Sequence, residues 1–199
     1  MTPPQPRPAT RTAAELVTPL PLSERALALL TPELTVRQYL DALVAVPLRV
    51  DAMRVLALAL PKPEAVWWGA LCVHLGLPKP WKHSAEKAVA TAETWVKTPT
   101  DDNRRACALT AETAGWDTAA GCLAGSAWLS GGSLSPPKLP PVTPRDDLTG
   151  QMLASVLLLA SVNDPKTTDA KQDEFLALGF QVASGRVKKG ESGKDSPDP

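Results

Sequence analysis

The sequence predicts an all-α fold, an irregular bundle of about eight helices in consecutive antiparallel hairpins, and three observations point there. Alanine and leucine dominate the 44% of residues that are hydrophobic, and β-branched residues are sparse, a bias that favours helix over strand. Between the two ends nearly every segment spaces its apolar residues for one helical face. Proline, glycine and capping residues interrupt those segments at short intervals, and short links make successive helices antiparallel neighbours. No repeat of about 34 residues recurs, so a strict solenoid is not expected.

The elements follow in order. Residues 1–12 are Pro-rich and read as a disordered tail. Two short stretches come next, Ala13 to Val17 and Ser23 to Leu30, the second with Ser23 as N-cap. Thr35 caps a segment in which Val36, Tyr39, Leu40, Leu43 and Val44 fall on one face, with Arg37, Gln38 and Asp41 opposite. Leu48 to Leu60 has Arg49, Asp51 and Arg54 as its polar breaks. Pro63 then opens a helix, Glu64 to Leu75, in which only Glu64 and His74 are polar. A helix apolar nearly all round needs neighbours on every side, so this one is the expected centre of the fold.

After Pro78–Lys82, Ser84 is the expected cap of a helix that buries Ala85, Ala88, Val89, Ala92 and Val96. Pro99 ends it. Thr100 or Asp101 caps the next, which puts Arg104 and Arg105 on its wet face and stops at Gly115. Asp117 or Thr118 starts a small-residue helix whose Gly121 and Gly125 would admit a close neighbour. Residues 130–144 form an extended crossover within one domain spanning 13–189. Asp146 or Asp147 opens a helix with Leu148, Met152, Val156 and Leu159 along one face. The last helix, Thr168 to Arg186, turns Phe175, Leu178, Val182 and Ala183 inward, and 190–199 reads as a second tail.

Composition bounds the function. Lys plus Arg and Asp plus Glu balance at 21 each, so no long-range field draws the chain to nucleic acid. The Arg186, Lys188, Lys189 run is too short to change this. No apolar stretch reaches the roughly 20 residues that span a bilayer, so no membrane insertion is expected. Proline stands in the first dozen residues where a secretory signal needs an apolar core, and a cytoplasmic protein with three buried, reduced cysteines (Cys72, Cys107, Cys122) is the expectation.

No reactive constellation stands out. Cys72 and His74 are two apart on a helix and diverge, whereas helical metal ligands sit three or four apart. Ser126 lacks the strand-to-helix elbow of a hydrolase serine. The Ser130-Gly131-Gly132-Ser133 turn follows a helix instead of leading into one, unlike a phosphate cradle. The acid pairs Asp101–Asp102 and Asp146–Asp147 open helices and read as capping groups. No enzyme, cofactor or metal is therefore expected. Trp67 and Trp68 point about 100° apart and must fill two different grooves. Trp81, between Lys79 and Lys82, is the tryptophan expected at the surface, and Trp suits a binding hot spot. Trp81, Lys79 and Lys82, with Ser130, Gly131, Gly132, Ser133 and Leu134 of the crossover, are the candidate protein-binding residues.

The Trp67–Trp68 helix, the run ETWVKTPTDDNRRACALTAETAGWDTAAG and the turn WLSGGSLSPP together resemble an uncharacterised bacterial family known only as a domain of unknown function, over about Leu40 to Val187. That resemblance carries no catalytic residues. It implies a cytoplasmic protein of Gram-negative bacteria, some members being linked to type VI secretion gene clusters. The function expected is a non-enzymatic helical adaptor or chaperone-like accessory that binds another protein, such as a secretion component or effector. A self-assembling structural protein and a toxin-neutralising immunity protein are the alternatives.

Overall fold

The computed structural model describes residues 12–136 and 138–187. These form ten helices: α1 (Ala13–Val17), α2 (Glu24–Ala28), α3 (Val36–Ala45), α4 (Arg49–Ala59), α5 (Lys62–Gly76), α6 (His83–Lys97), α7 (Asp101–Ala114), α8 (Ala119–Trp128), α9 (Leu148–Ser161) and α10 (Thr168–Ala183). The two short helices expected at Ala13 to Val17 and Ser23 to Leu30 are α1 and α2, of five residues each, with Ser23 capping the second as expected. Among the described residues the only β contact is an isolated bridge between Thr12 and Thr35.

The centre is built from α5, α8 and α9. α5 touches α6, α8, α9 and α10, which is why its sequence is apolar all round. Gly69 lies against Leu153 and Gly76 against the backbone of Ala160, so α5 and α9 run in the same direction. Gly150, at the start of α9, meets Leu58 near the end of α4, so those two run oppositely. α10 returns against α5: Gly179 packs on Trp68, and the Trp68 indole donates to the Phe175 carbonyl at 2.8 Å. Both Trp67 and Trp68 are buried. The bundle thus has one end where α5, α7 and α9 begin and another where they finish.

A thinner layer, α1 to α3, covers α4. The Asp51 carboxyl is only 4% exposed, and Ser23 satisfies it through its backbone N–H (3.0 Å) and hydroxyl (2.7 Å). The Tyr39 hydroxyl donates to Ala26 O at 2.8 Å, and Ala13 N–H to Leu34 O at 3.0 Å. Thr12, expected in the tail, instead caps α1 reciprocally with Glu15. The rest of the two expected tails, with Lys188 and Lys189, lies outside the described residues.

Several local expectations are corrected. Val44 and Ala183 are exposed, because each sits one step around its helix from the buried stripe. α6 starts at His83, with Lys82 in the cap position and no side-chain cap, so Ser84 is inside the helix. In α9 the fully enclosed apolar residues are Leu153, Val156, Leu157 and Ala160, leaving Leu148, Met152 and Leu159 partly exposed. Gly121 does admit a close neighbour, since a Cβ there would overlap the Gly115 carbonyl at the end of α7. Gly125 instead receives the ring of Trp116.

Candidate protein-binding site

The two segments singled out from sequence lie at opposite ends of the bundle. Lys62, at the start of α5, donates to Ser130 O at 2.9 Å, whereas Trp81 follows the end of α5. The 15-residue helix between them separates the segments by roughly 20 Å at 1.5 Å per residue. They do not form one site.

Trp81 is not the exposed tryptophan. Its ring is partly buried, its indole N–H donates to Leu77 O at 3.3 Å, and its ring centroid lies 5.0 Å from that of His74. The Lys79 ammonium sits 5.3 Å from the Trp81 centroid, a cation–π arrangement that uses one flanking lysine to hold the ring in place. His74 points away from buried Cys72 and pairs with Glu93 at 2.8 Å. Trp81 lines two shallow grooves of about 570 and about 510 Å³, one toward Leu159 and Asn163, the other toward Glu86 and Glu93. Lys82 lines the first. The tryptophan at the surface is Trp116, 44% exposed.

The crossover is far more ordered than its composition suggests, and the cause is Arg104. This residue, expected on the wet face of α7, is only 4% exposed. Its guanidinium grips Asp101 Oδ1 through Nε (2.8 Å) and Nη2 (2.6 Å), and donates to Trp128 O and Ser133 O, both at 2.9 Å. It also stacks 4.4 Å from the centre of the Trp128 ring. Arg105 takes the other carboxylate oxygen, Oδ2, at 2.7 Å and reaches Ser133 O and Ser135 O at 3.1 Å each. Two guanidinium groups on one carboxylate hold the Asp101 carboxyl below its ordinary range, the Arg105 hydrogen bond contributing most and Arg104 next.

The acid pairs do not supply the expected side-chain caps: Asp147 occupies the N-cap position of α9 but makes no side-chain cap bond. Thr100 caps α7 through its hydroxyl, which leaves Asp101 for the arginines. Asp146 pairs with Lys62 at 2.6 Å, and Asp147 with Arg145 at 2.7 Å. Gly132 has a φ of +62°, where a glycine is at ease, and a Cβ there would crowd the Arg104 guanidinium.

These bonds place the candidate residues Ser130, Gly131, Gly132, Ser133 and Leu134 at the base of the crossover. Leu134 N–H donates to Val142 O at 2.8 Å, and the Ser133 hydroxyl accepts from Val142 N–H at 3.1 Å, closing the loop. The loop shows apolar side chains to solvent at and beyond that closure: Val142, whose backbone makes the closing bonds, is 54% exposed and Leu139 59%. Sequence reasoning fixed on the glycines and passed over these two. Apolar residues among prolines were the available signal.

Residues 39–183 match the family described as "Family of unknown function (DUF6931)". The chain belongs to that family. The match takes in α4 to α10 and most of α3, so the arginine clamp, the crossover and Trp81 all lie within the family's extent, and α1 and α2 lie outside it. No curated protein and no solved structure matches the chain. Among the described residues, no group of three or more His, Cys, Asp or Glu is arranged to hold a metal, and no helix is long and apolar enough to cross a membrane.

Proposed function

We propose that the chain is a non-enzymatic helical adaptor or chaperone-like accessory protein that binds another protein through the 130–144 crossover. The observation that carries this reading is the combination of a pinned base and an apolar tip. Leu139 and Val142 stand more than half exposed, while their loop is tied down by Arg104, Arg105 and Lys62. Exposed apolar side chains on an ordered loop are poised for a partner, because little ordering entropy remains to be lost on docking. The family resemblance extends the reading to a partner from a secretion pathway, a type VI component or effector.

The test compares the full chain with Leu139→Ser/Val142→Ser as bait in native lysate. A protein retained by the first and lost from the second, with unchanged helical circular dichroism, is the expected result. Equal recovery by both baits refutes the assignment to the crossover, and recovery of nothing counts against binding altogether.

Self-assembly is the second reading, favoured by the exposed α7 face of Ala106, Leu109 and Thr113 with Trp116 beyond it. Light scattering over a dilution series distinguishes the two, since only self-assembly makes the mass fall with concentration.

A further inference from the structure

Resting on that protein-binding reading, we propose that Pro140–Pro144 is a polyproline II ligand with Lys138 as its flanking cation, and that its partner offers a groove of aromatic rings with an acidic side chain at one end. Residues 138–144 read Lys-Leu-Pro-Pro-Val-Thr-Pro. A polyproline II helix has three residues per turn, so within Pro140–Pro144 the rings of Pro141 and Pro144 share one edge, Pro140 and Thr143 a second, and Val142 the third, while Lys138 and Leu139 sit in the turn just before it, where Leu139 N–H bonds Pro136 O at 3.0 Å. Pro140, Pro141 and Thr143 are exposed and Pro144 half-buried, so the proline surfaces face outward over most of the segment.

The backbone favours this mode of recognition over the others. Pro140, Pro141 and Pro144 have no N–H to donate, which rules out adding the segment as a strand to a partner's sheet and rules out a helix in a groove. Residues 140–144 carry no helical or strand assignment. Val142 commits both its N–H and its carbonyl to the loop base, through Ser133 and Leu134. Among the described residues no hydrogen bond is made to the carbonyls of Pro140, Pro141 or Thr143. Those carbonyls are open to the indole N–H and phenol O–H donors that line polyproline-reading grooves.

Direction is set by charge. A polyproline II helix looks similar from either end, so a flanking ion pair must choose the orientation. Arg145 is already held through both oxygens of Asp147. Lys138 is exposed, three residues before Pro141, and is the cation left for an acid on the partner. The anchors at Ser133, Leu134 and Val142 keep the segment extended before binding, which lowers the ordering cost.

The experiment titrates the full chain with two purified probes of this groove chemistry, an SH3 domain that takes a basic residue ahead of P-x-x-P and a WW domain, followed by calorimetry. Saturable binding of either probe is expected, weakened at least about tenfold by Pro141→Ala/Pro144→Ala and several-fold by Lys138→Glu. Binding of neither probe, or binding that ignores the proline substitutions, overturns the inference. The native-lysate baits separate this from the broader reading. A prey lost with Leu139→Ser/Val142→Ser but kept by Pro141→Ala/Pro144→Ala overturns polyproline recognition and leaves protein binding standing. A prey lost with the proline variant, with helicity unchanged, supports it.

Discussion

Replacing Arg104 with alanine should destabilise the protein by about 3 kcal/mol, and the structure supplies the components. Asp101 and Ser133 O would both keep Arg105, at 2.7 and 3.1 Å, so neither is abandoned. The Trp128 carbonyl would lose its 2.9 Å partner, which costs about 1–3 kcal/mol for a group away from water. Stacking of the guanidinium on the Trp128 ring at 4.4 Å is worth about 1 kcal/mol, and the buried stem adds a comparable packing loss. Breaking a fully buried ion pair costs about 3–5 kcal/mol, and Asp101 is 56% exposed, so the lower end applies. For a chain of this size that is a fall in Tm of roughly 6–12 °C. Arg104→Lys keeps the charge without the fork and should recover only part of the loss. Arg105→Ala, whose side chain is 26% exposed, should cost about 1 kcal/mol. Denaturant unfolding measures all three, and faster amide exchange at Leu134 and Val142 should accompany Arg104→Ala alone. An Arg104→Ala protein within about 0.5 kcal/mol of wild type, or one more stable than Arg105→Ala, would refute the clamp.

Three further predictions rest on separate observations. Gly121→Ala, whose Cβ would meet the Gly115 backbone, should cost about 3 kcal/mol or more, whereas Gly131→Ala, with nothing within 4 Å, should stay within about 0.5 kcal/mol; similar Tm values for both would contradict the packing described. Asp101 and Asp147 both have carboxyls lowered from the ordinary 3.8, the first by Arg105 and Arg104, the second chiefly by Arg145. A depressed folded-state value adds stability that is complete above 3.8 and lost as pH falls through the folded-state values, so Asp101→Asn should flatten the acid limb of a stability–pH curve, and an unchanged limb would sink this assignment. Burial pushes the Cys107 thiol up to about 12 and also raises Cys72 and Cys122, so all three should resist alkylation near pH 8 until denaturant is added; rapid labelling of the native chain would show an accessible thiolate.

The fold was legible because the signals that define helices are local. Thr35 and Thr100 cap as their side chains suggest, and Gly115 ends α7 with a φ of +93°. The apolar run of α5 announced a central helix. What failed to show in sequence was which side of a helix faces another when both sides are polar or both are small. Arg104 and Arg105 are adjacent in sequence and would ordinarily face water. Only the return of the crossover, about 30 residues later, supplies the carbonyls that let one of them be buried. Asp51 is a parallel case, since its burial depends on Ser23 arriving from a different helix.

The same long-range dependence ties the two motifs that carry the family resemblance into one device. Asp101, Arg104 and Arg105 come from the start of α7, and Ser130 to Ser133 from the end of α8. Each is poorly explained alone: a run of charges at a helix start, and a glycine turn with no ligand. Together the charges satisfy the carbonyls of a turn that, with a φ of +62° at Gly132 and no Cβ beside Arg104, lets the guanidinium in. A carboxylate shared by two arginines leaves one net positive charge among carbonyl acceptors, which suits holding backbone better than moving protons. The device therefore does mechanical work: it fixes where the prolines after it emerge. Four hydrogen bonds satisfy the buried guanidinium, so the clamp stabilises the turn in the same act that places it.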